Sequence, residues 1–341
     1  MSNSTNSIKP SEKRQRAEAN YFSLFTFYFL LFTLLFSAGC AAEDQVVELY
    51  VDAVMLRELG EDDKAVEKLD SAVQLNKRFS LAYSLLGEIY QEIKDYEKSA
   101  ASYEQATKLN PWSFKDFFNL GRVYQIVEKF AQAVKAYARA CELRPDHLDA
   151  HINAAKCYYE IKDYNNALVV AVQAERLDPD VSEIQEILGD IYESQKDYDQ
   201  AIASYKRALE IDSKNPKIMT SLAVCYLKTN RNEPARELLT SVIQIEPGNN
   251  SAYRYLGYCF LRLDDVDRAI ESYSRAIRIS GEDWEAYRGL GVAYMLKAIN
   301  DNDETLRTKA IQQWRLSLDI KPDQPRRERL LRLIQKYSKQ G

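Results

Sequence analysis

Two histidines, His147 and His151, stand four residues apart with Asp146 and Asp149 beside them. On one helical face, two imidazoles and a carboxylate at that spacing could hold a divalent metal. The surrounding pattern argues against it. His147 falls in a turn, and His151 takes the place that Phe117 holds 34 residues earlier. We expect His151 in the core with its polar tip at the edge, and no metal. Cys141, Cys157, Cys225 and Cys259 are an even set, which outside the cytoplasm invites disulfides. Yet Cys157, Cys225 and Cys259 recur at spacings of 68 and 34. Equivalent places in stacked helix pairs lie about 10 Å or more apart, beyond the roughly 7 Å that a disulfide tolerates between Cα atoms. All four are expected to be buried small apolar residues. No glycine loop that cradles phosphate is present, and no nucleophile has a recognisable base beside it. No catalytic residue, cofactor or small-molecule substrate is expected.

The cysteine spacing is the spacing of the whole chain. From Lys115 to Pro145 the sequence reads as two amphipathic helices in a hairpin. Phe117, Leu120, Gly121 and Tyr124 share one helical face, and Ala133, Tyr137 and Ala140 another. Pro145 stops the second helix. The Gly121 place recurs every 34 residues as Ala53, Gly87, Ala155, Gly189, Ala223, Gly257 and Gly291, always small. The Tyr124 place recurs as Leu56, Tyr90, Tyr158, Tyr192, Tyr226, Phe260 and Tyr294, always large. Small residues let the two helices approach, and large ones fill the space around the crossing.

This pattern resembles the tetratricopeptide repeat, with its period of 34 and its order of large residue, Leu, Gly and Tyr, then Ala, aromatic, Ala and Pro. The resemblance implies an all-α fold, a right-handed superhelical solenoid of about eight helix hairpins closed by a C-terminal capping helix. The repeats are placed at 46–79, 80–113, 114–147, 148–181, 182–215, 216–249, 250–283 and 284–322. Seven extra residues in the last repeat put a longer loop or an extended first helix at Ala298 to Thr308. Residues 323–341 carry Leu330, Leu333, Ile334 and Tyr337 on one face and six basic residues on the other, as a cap over the solenoid's open end requires. Asp95, Asp163 and Asp197, each in a Lys-Asp-Tyr turn, are placed to cap second helices.

Residues 1–39 read as a signal peptide. A polar, basic n-region (1–20) precedes an apolar h-region (21–36), and no charge appears from Ala19 to Ala42. Ser37-Ala38-Gly39-Cys40 resembles the lipobox of bacterial lipoproteins, with Ser37 where leucine is usual. That resemblance implies a lipid on Cys40, cleavage before it, and a short tether over 40–45 that spans about 17 Å when extended. Ala41 after the cysteine implies sorting to an outer membrane, facing the periplasm. Two readings stand beside this one: an uncleaved anchor in the inner membrane, since 24 uncharged residues are long enough to span a bilayer, and simple secretion after a cut near Ala42. All three put the repeats outside the cytoplasm.

The chain carries a net charge of −5, which argues against nucleic acid as the main partner. In a solenoid of this family the partner is a protein or peptide lying in a concave groove lined by first helices. Residues turned from the core there are Phe118, Asn119, Arg122, Asn153, Lys156, Tyr159, Glu186, Asp190, Arg254, Tyr258 and Arg288. Asn119 and Asn153 occupy equivalent places, and an amide suits a peptide backbone. The groove turns from acidic at Glu183, Glu186, Asp190 and Glu193 to basic at Lys217, Lys228, Arg254, Arg262 and Arg288. The carboxylate clamp of cytosolic co-chaperones is incomplete, with Ser84, Glu88 and Asn119 at its places. The parts together resemble lipid-anchored tetratricopeptide proteins of the envelope, such as type IV pilus pilotins. They imply a non-catalytic scaffold for assembling a pilus, secretion or cell-wall complex. The alternative class is an accessory subunit of a glycan- or peptidoglycan-processing enzyme.

Overall fold

The computed structural model describes residues 44–338. The leader 1–39, Cys40, the tether residues before 44 and the last three residues lie outside that range. Every regular element among the described residues is an α-helix. The chain forms two compact units, one up to Pro145 and one from Asp146. The first holds α1 (44–58), α2 (Asp62–Leu75), α3 (Ser80–Glu92), α4 (Tyr96–Leu109), α5 (Phe114–Ile126) and α6 (Phe130–Leu143). The second holds α7 (Leu148–Glu160), α8 (Tyr164–Leu177), α9 (Ser182–Ser194), α10 (Tyr198–Ile211), α11 (Pro216–Lys228) and α12 (Asn232–Ile245). It continues through α13 (Asn250–Arg262), α14 (Val266–Ile279), α15 (Trp284–Asp301), α16 (Glu304–Ile320) and α17 (Arg327–Ser338). Among the described residues no helix is long and apolar enough to cross a membrane.

Each hairpin turns by the same local chemistry. After α5, the Lys129 N–H donates to Tyr124 O (2.8 Å) and the Glu128 N–H to Gln125 O (3.1 Å). This is a Schellman closure, and it puts one residue in the left-handed region. Gly60 takes that place in the first hairpin, but Lys94, Glu128, Lys162, Lys196, Asn230 and Asp264 take it later, with φ between 57° and 64°. The next residue starts the second helix. Asp95, Asp163 and Asp197 accept the N–H of Lys98, Asn166 and Gln200, satisfying donors that have no partner inside the helix.

The core is one crossing repeated. A Cβ on Gly121 would meet the Tyr137 ring at 2.7 Å, and one on Gly189 would meet the Tyr205 ring at 2.4 Å. Gly87 faces Tyr103, Gly257 faces Tyr273 and Gly291 faces Trp314 in the same way. Alanine stands at the glycine place where the partner is smaller or not aromatic: Ala53 with Leu69, Ala155 with Ala171 and Ala223 with Leu239, all six buried. A flat ring needs the whole depth of the gap; an aliphatic side chain leaves room for a methyl.

The last hairpin differs. Its helices are 18 and 17 residues long, against 13 and 14 in the hairpin before. The extra residues lengthen both helices instead of opening a loop. Asn300 and Asp301 are helical, Asn302 ends α15 in the left-handed region, and Asp303 caps α16 by accepting from Thr305 and Leu306 N–H. Leu330 and Ile334 of α17 are buried with Met295, Ala310 and Trp314, and Leu333 and Tyr337 pack at the edge of that cluster. Gln324, 2% exposed, exchanges hydrogen bonds with Ser317 and closes the junction.

Candidate functional site

Within the second unit, first helices touch first helices: α7 meets α9, α9 meets α11, α11 meets α13 and α13 meets α15. Their outer residues therefore form one continuous face. Asn153, Lys156, Tyr159, Glu186, Asp190, Arg254 and Arg288 are half-buried on it, and Tyr258 is 42% exposed.

At its centre Tyr205 reaches from α10 through the Gly189 gap. Its hydroxyl donates to Asp190 Oδ1 at 2.6 Å and lies 3.2 Å from Glu193 Oε2. Burial pushes the Asp190 carboxyl up to about 6; Glu186 and Glu193 add to the rise, while the Tyr205 hydrogen bond and Lys217 oppose it. Lys217 Nζ pairs with Glu186 at 2.5 Å. Ser194 donates to the Tyr159 hydroxyl at 3.2 Å, and the Tyr159 ring packs 5.6 Å from that of Tyr164. A cleft of about 520 Å³ opens beside this cluster, lined by Glu193, Lys217, Thr220, Ser221, Asn249 and Tyr255 among others. It offers carboxylates, hydroxyls, amides and an aromatic ring together, the mixture that holds an extended polypeptide.

The charges along the face are largely answered by neighbours. Lys156 pairs with Glu183, and Arg254 with Glu285 and, at 3.6 Å, with Asp283. Arg262 donates to Asn230 at 2.6 Å. Arg288 stacks over Trp284 and donates to Pro325 O at 3.2 Å; burial, then Arg326, lower its pKa. The pairs have a sequence signature. Opposite charges 31 residues apart pair at Arg57–Glu88, Glu186–Lys217 and Arg254–Glu285, and 27 apart at Glu88–Lys115 and Lys156–Glu183. Scanning for charges at those offsets would have found them.

In the first unit, Phe118 is half-buried and stacks on Phe114 (5.6 Å) and against Tyr137 (5.8 Å). It belongs in part to the core edge. Asn119 is half-buried beside the buried Tyr103, and its side chain favours the ionised form of that phenol, while burial raises the Tyr103 pKa overall. Arg122 is exposed. Ser84 donates to Asp116, and Glu88 pairs with Arg57 and Lys115. Asn119 lies in the first unit and Asn153 in the second, each on its own first helix.

The chemistry-bearing residues have structural posts. The His147 imidazole caps α7 by accepting the Ala150 N–H at 3.3 Å, and His151 is buried. Cys157, Cys225 and Cys259 are buried, Cys141 is half-buried, and all four are free thiols. Burial pushes Cys157 and Cys225 up to about 12 and Cys141 and Cys259 up to about 11, which keeps them as inert thiols. Cys40 lies outside the described residues.

Family models described as tetratricopeptide repeat match residues 81–111, 127–191, 167–216, 193–257 and 251–279, together more than half of the chain. No curated protein matches the sequence. Among solved structures, the Cut9 and Hcn1 hetero-tetramer of the APC/C matches at 16% identity and a TM-score of 0.56, over 79% of this chain and 52% of that one. The PilF protein of Pseudomonas aeruginosa matches at 22% identity and a TM-score of 0.50, over 61% of this chain and 94% of that one. YrrB, described as a tetratricopeptide-repeat protein with an unusual peptide-binding site, matches at 19% identity and a TM-score of 0.48, over 55% and 96%. At these identities the likeness is one of fold.

Proposed function

We propose, for a chain that belongs to the tetratricopeptide-repeat family, that it is a non-catalytic scaffold holding a protein segment along its first-helix face. The cluster of Tyr205, Asp190 and Glu193 beside the cleft of α9, α11 and α13 carries this reading. A carboxylate whose ionised form is disfavoured by burial gains from a cation or a donor brought by a partner, because that contact offsets the cost of burying the charge. The polar and aromatic lining beside it suits backbone amides and mixed side chains.

The place of work is the bacterial envelope. The uncharged run from Ala19 to Ala42 and the Ser37-Ala38-Gly39-Cys40 sequence support an anchored chain, lipidated at Cys40, with its repeats outside the cytoplasm. Only a few residues separate Cys40 from α1, so the first hairpin stands close to the membrane. The task we infer is assembly of an envelope machine: a pilus, secretion or cell-wall complex.

A photo-reactive residue in place of Tyr258 in intact cells tests both parts. The expected product is a crosslink to an envelope protein, lost when Lys217 and Tyr255 are both changed to alanine in the same chain. A chain that fractionates with the cytosol, or crosslinks that survive the double change, would overturn the proposal.

A further inference from the structure

The opposite side of the second unit holds a larger recess. Between α12 and α14, over α13, lies a cleft of about 810 Å³. Tyr253, Leu256 and Phe260 form its floor, and Arg236, Arg268, Arg275 and Arg278 stand around it, with Glu237 and Glu271 between them. Two of these guanidinium groups rest on rings: Arg268 lies 4.7 Å from the centroid of Phe260 and Arg275 5.9 Å from that of Tyr253. Contact with a ring face steadies a guanidinium group without using its N–H donors. Arg236 and Arg268 have local acids, Glu233 at 3.0 Å and Asp265 at 2.5 Å. Among the described residues, no carboxylate lies within ion-pairing distance of Arg275 or Arg278.

The fold does not require this set of arginines. The same recess exists in the first unit, between α4 and α6 over α5, at about 160 Å³. There Ala100 holds the place of Arg236, Glu104 that of Thr240, Tyr124 that of Phe260 and Gln132 that of Arg268. Arg139 keeps the place of Arg275, but it pairs at 2.7 Å with Glu142, which holds the place of Arg278. Tyr124 donates to Glu104 and closes part of the space. One backbone arrangement thus carries an acidic, partly filled recess in one place and an open, arginine-walled one in the other.

We propose that the α12–α13–α14 cleft docks an acidic protein segment that offers carboxylates to Arg275 and Arg278 and an apolar side chain to the floor. Arginine suits this occupant, because its fork of donors matches a carboxylate two bonds at a time. Glu237 and Glu271 select against a continuous line of phosphates. A nucleic acid or an anionic bilayer would lay charge across the whole rim, whereas a peptide can place its acids singly. The surface is separate from the first-helix face, so the chain can hold two segments at once.

The test uses a fluorescein-labelled peptide of alternating glutamate and leucine, its glutamine counterpart, and the full chain. Fluorescence anisotropy should show binding of the glutamate peptide that weakens with salt. Arg275→Ala with Arg278→Ala should weaken it at least about tenfold, or about 1.4 kcal/mol, with melting unchanged because both residues are exposed. Tyr258→Ala should leave it unchanged. Equal binding of the glutamine peptide would overturn the proposal, as would binding that survives the arginine change but fails in Tyr258→Ala. Vesicles of phosphatidylglycerol that bind through the same arginines, with no peptide binding, would assign the cleft to lipid and overturn it too.

Discussion

The hairpin α5–α6 and the hairpin α9–α10 have one frame and two chemistries. Each passes a tyrosine ring through a glycine gap, Tyr137 at Gly121 and Tyr205 at Gly189. The residues that receive the hydroxyl differ. Tyr137 donates to the neutral Gln125 at 2.8 Å, and Glu193 stands at the corresponding place for Tyr205. Arg122 is exposed where Asp190 is half-buried. The ring goes where backbone approach permits. The charge at its tip is then free to vary, and with it what the first-helix face can bind.

The largest expected effect tests what the two hairpins share. Gly121→Leu and Gly189→Leu should each destabilise by about 3 kcal/mol, because a close-packed crossing has no volume to give. Gly189→Ala should already be harmful, since its Cβ would stand 2.4 Å from the Tyr205 ring. Adding Tyr205→Leu should recover part of that loss, as Ala223 with Leu239 implies. Denaturant melts of the single and double variants measure the coupling; an additive double variant would separate ring from glycine. Hydrogen exchange should show the loosening near α9 and α10 and leave α15 and α16 protected, since repeats couple to their neighbours.

A smaller effect tests where the hairpins differ. Asp190 ionises less readily folded, at about 6, than at the ordinary 3.8. Its contribution to stability is fully present below about pH 4, falls as pH rises through 6 and stays low above it. Asp190→Asn should remove that slope and stabilise the chain at neutral pH, by at most about 3 kcal/mol for a shift of roughly two units. Urea midpoints across pH 4 to 7 read it directly. A variant that retained the wild-type slope would assign it to other carboxylates.

The smallest effect lies at the turns. Asp197 caps α10 with its side chain, whereas Lys129 at the same place leaves α6 without a side-chain cap. Lys129→Asp should add about 0.5–1 kcal/mol, and Asp197→Lys should remove a similar amount. Thermal melts of the two variants should shift in opposite directions.

These cases also mark how far the chain could be read before its structure. The turns were legible because their parts are adjacent: Lys94-Asp95-Tyr96 contains its own cap. The left-handed backbone at Lys94, Glu128, Lys162 and Lys196 was not, because those residue types do not announce it. The pairing of glycine with aromatic and alanine with the rest is written in the sequence at an offset of 16, and of 23 in the last hairpin, where seven residues are added. Its meaning appears only when ring and gap are seen together. The cluster of Tyr205 with Asp190 and the arginine-walled cleft were not legible, because each draws on second helices, whereas the repeat pattern marks a groove by its first helices alone.

From the sequence alone follow the hairpin, its period and the small-against-large crossing, because a helix face and a turn are set by residues within a few positions of one another. The same reading reaches an anchored scaffold only as an expectation, since its carriers are the leader and Cys40. What the tertiary structure decided is which charges remain available. Lys217, Arg254 and Lys156 look alike as basic residues on exposed faces, yet each meets a carboxylate about one repeat away in the chain. Arg275 and Arg278 do not. An ion pair depends on the distance between two side chains on different helices, and only the packing of the helices sets that distance.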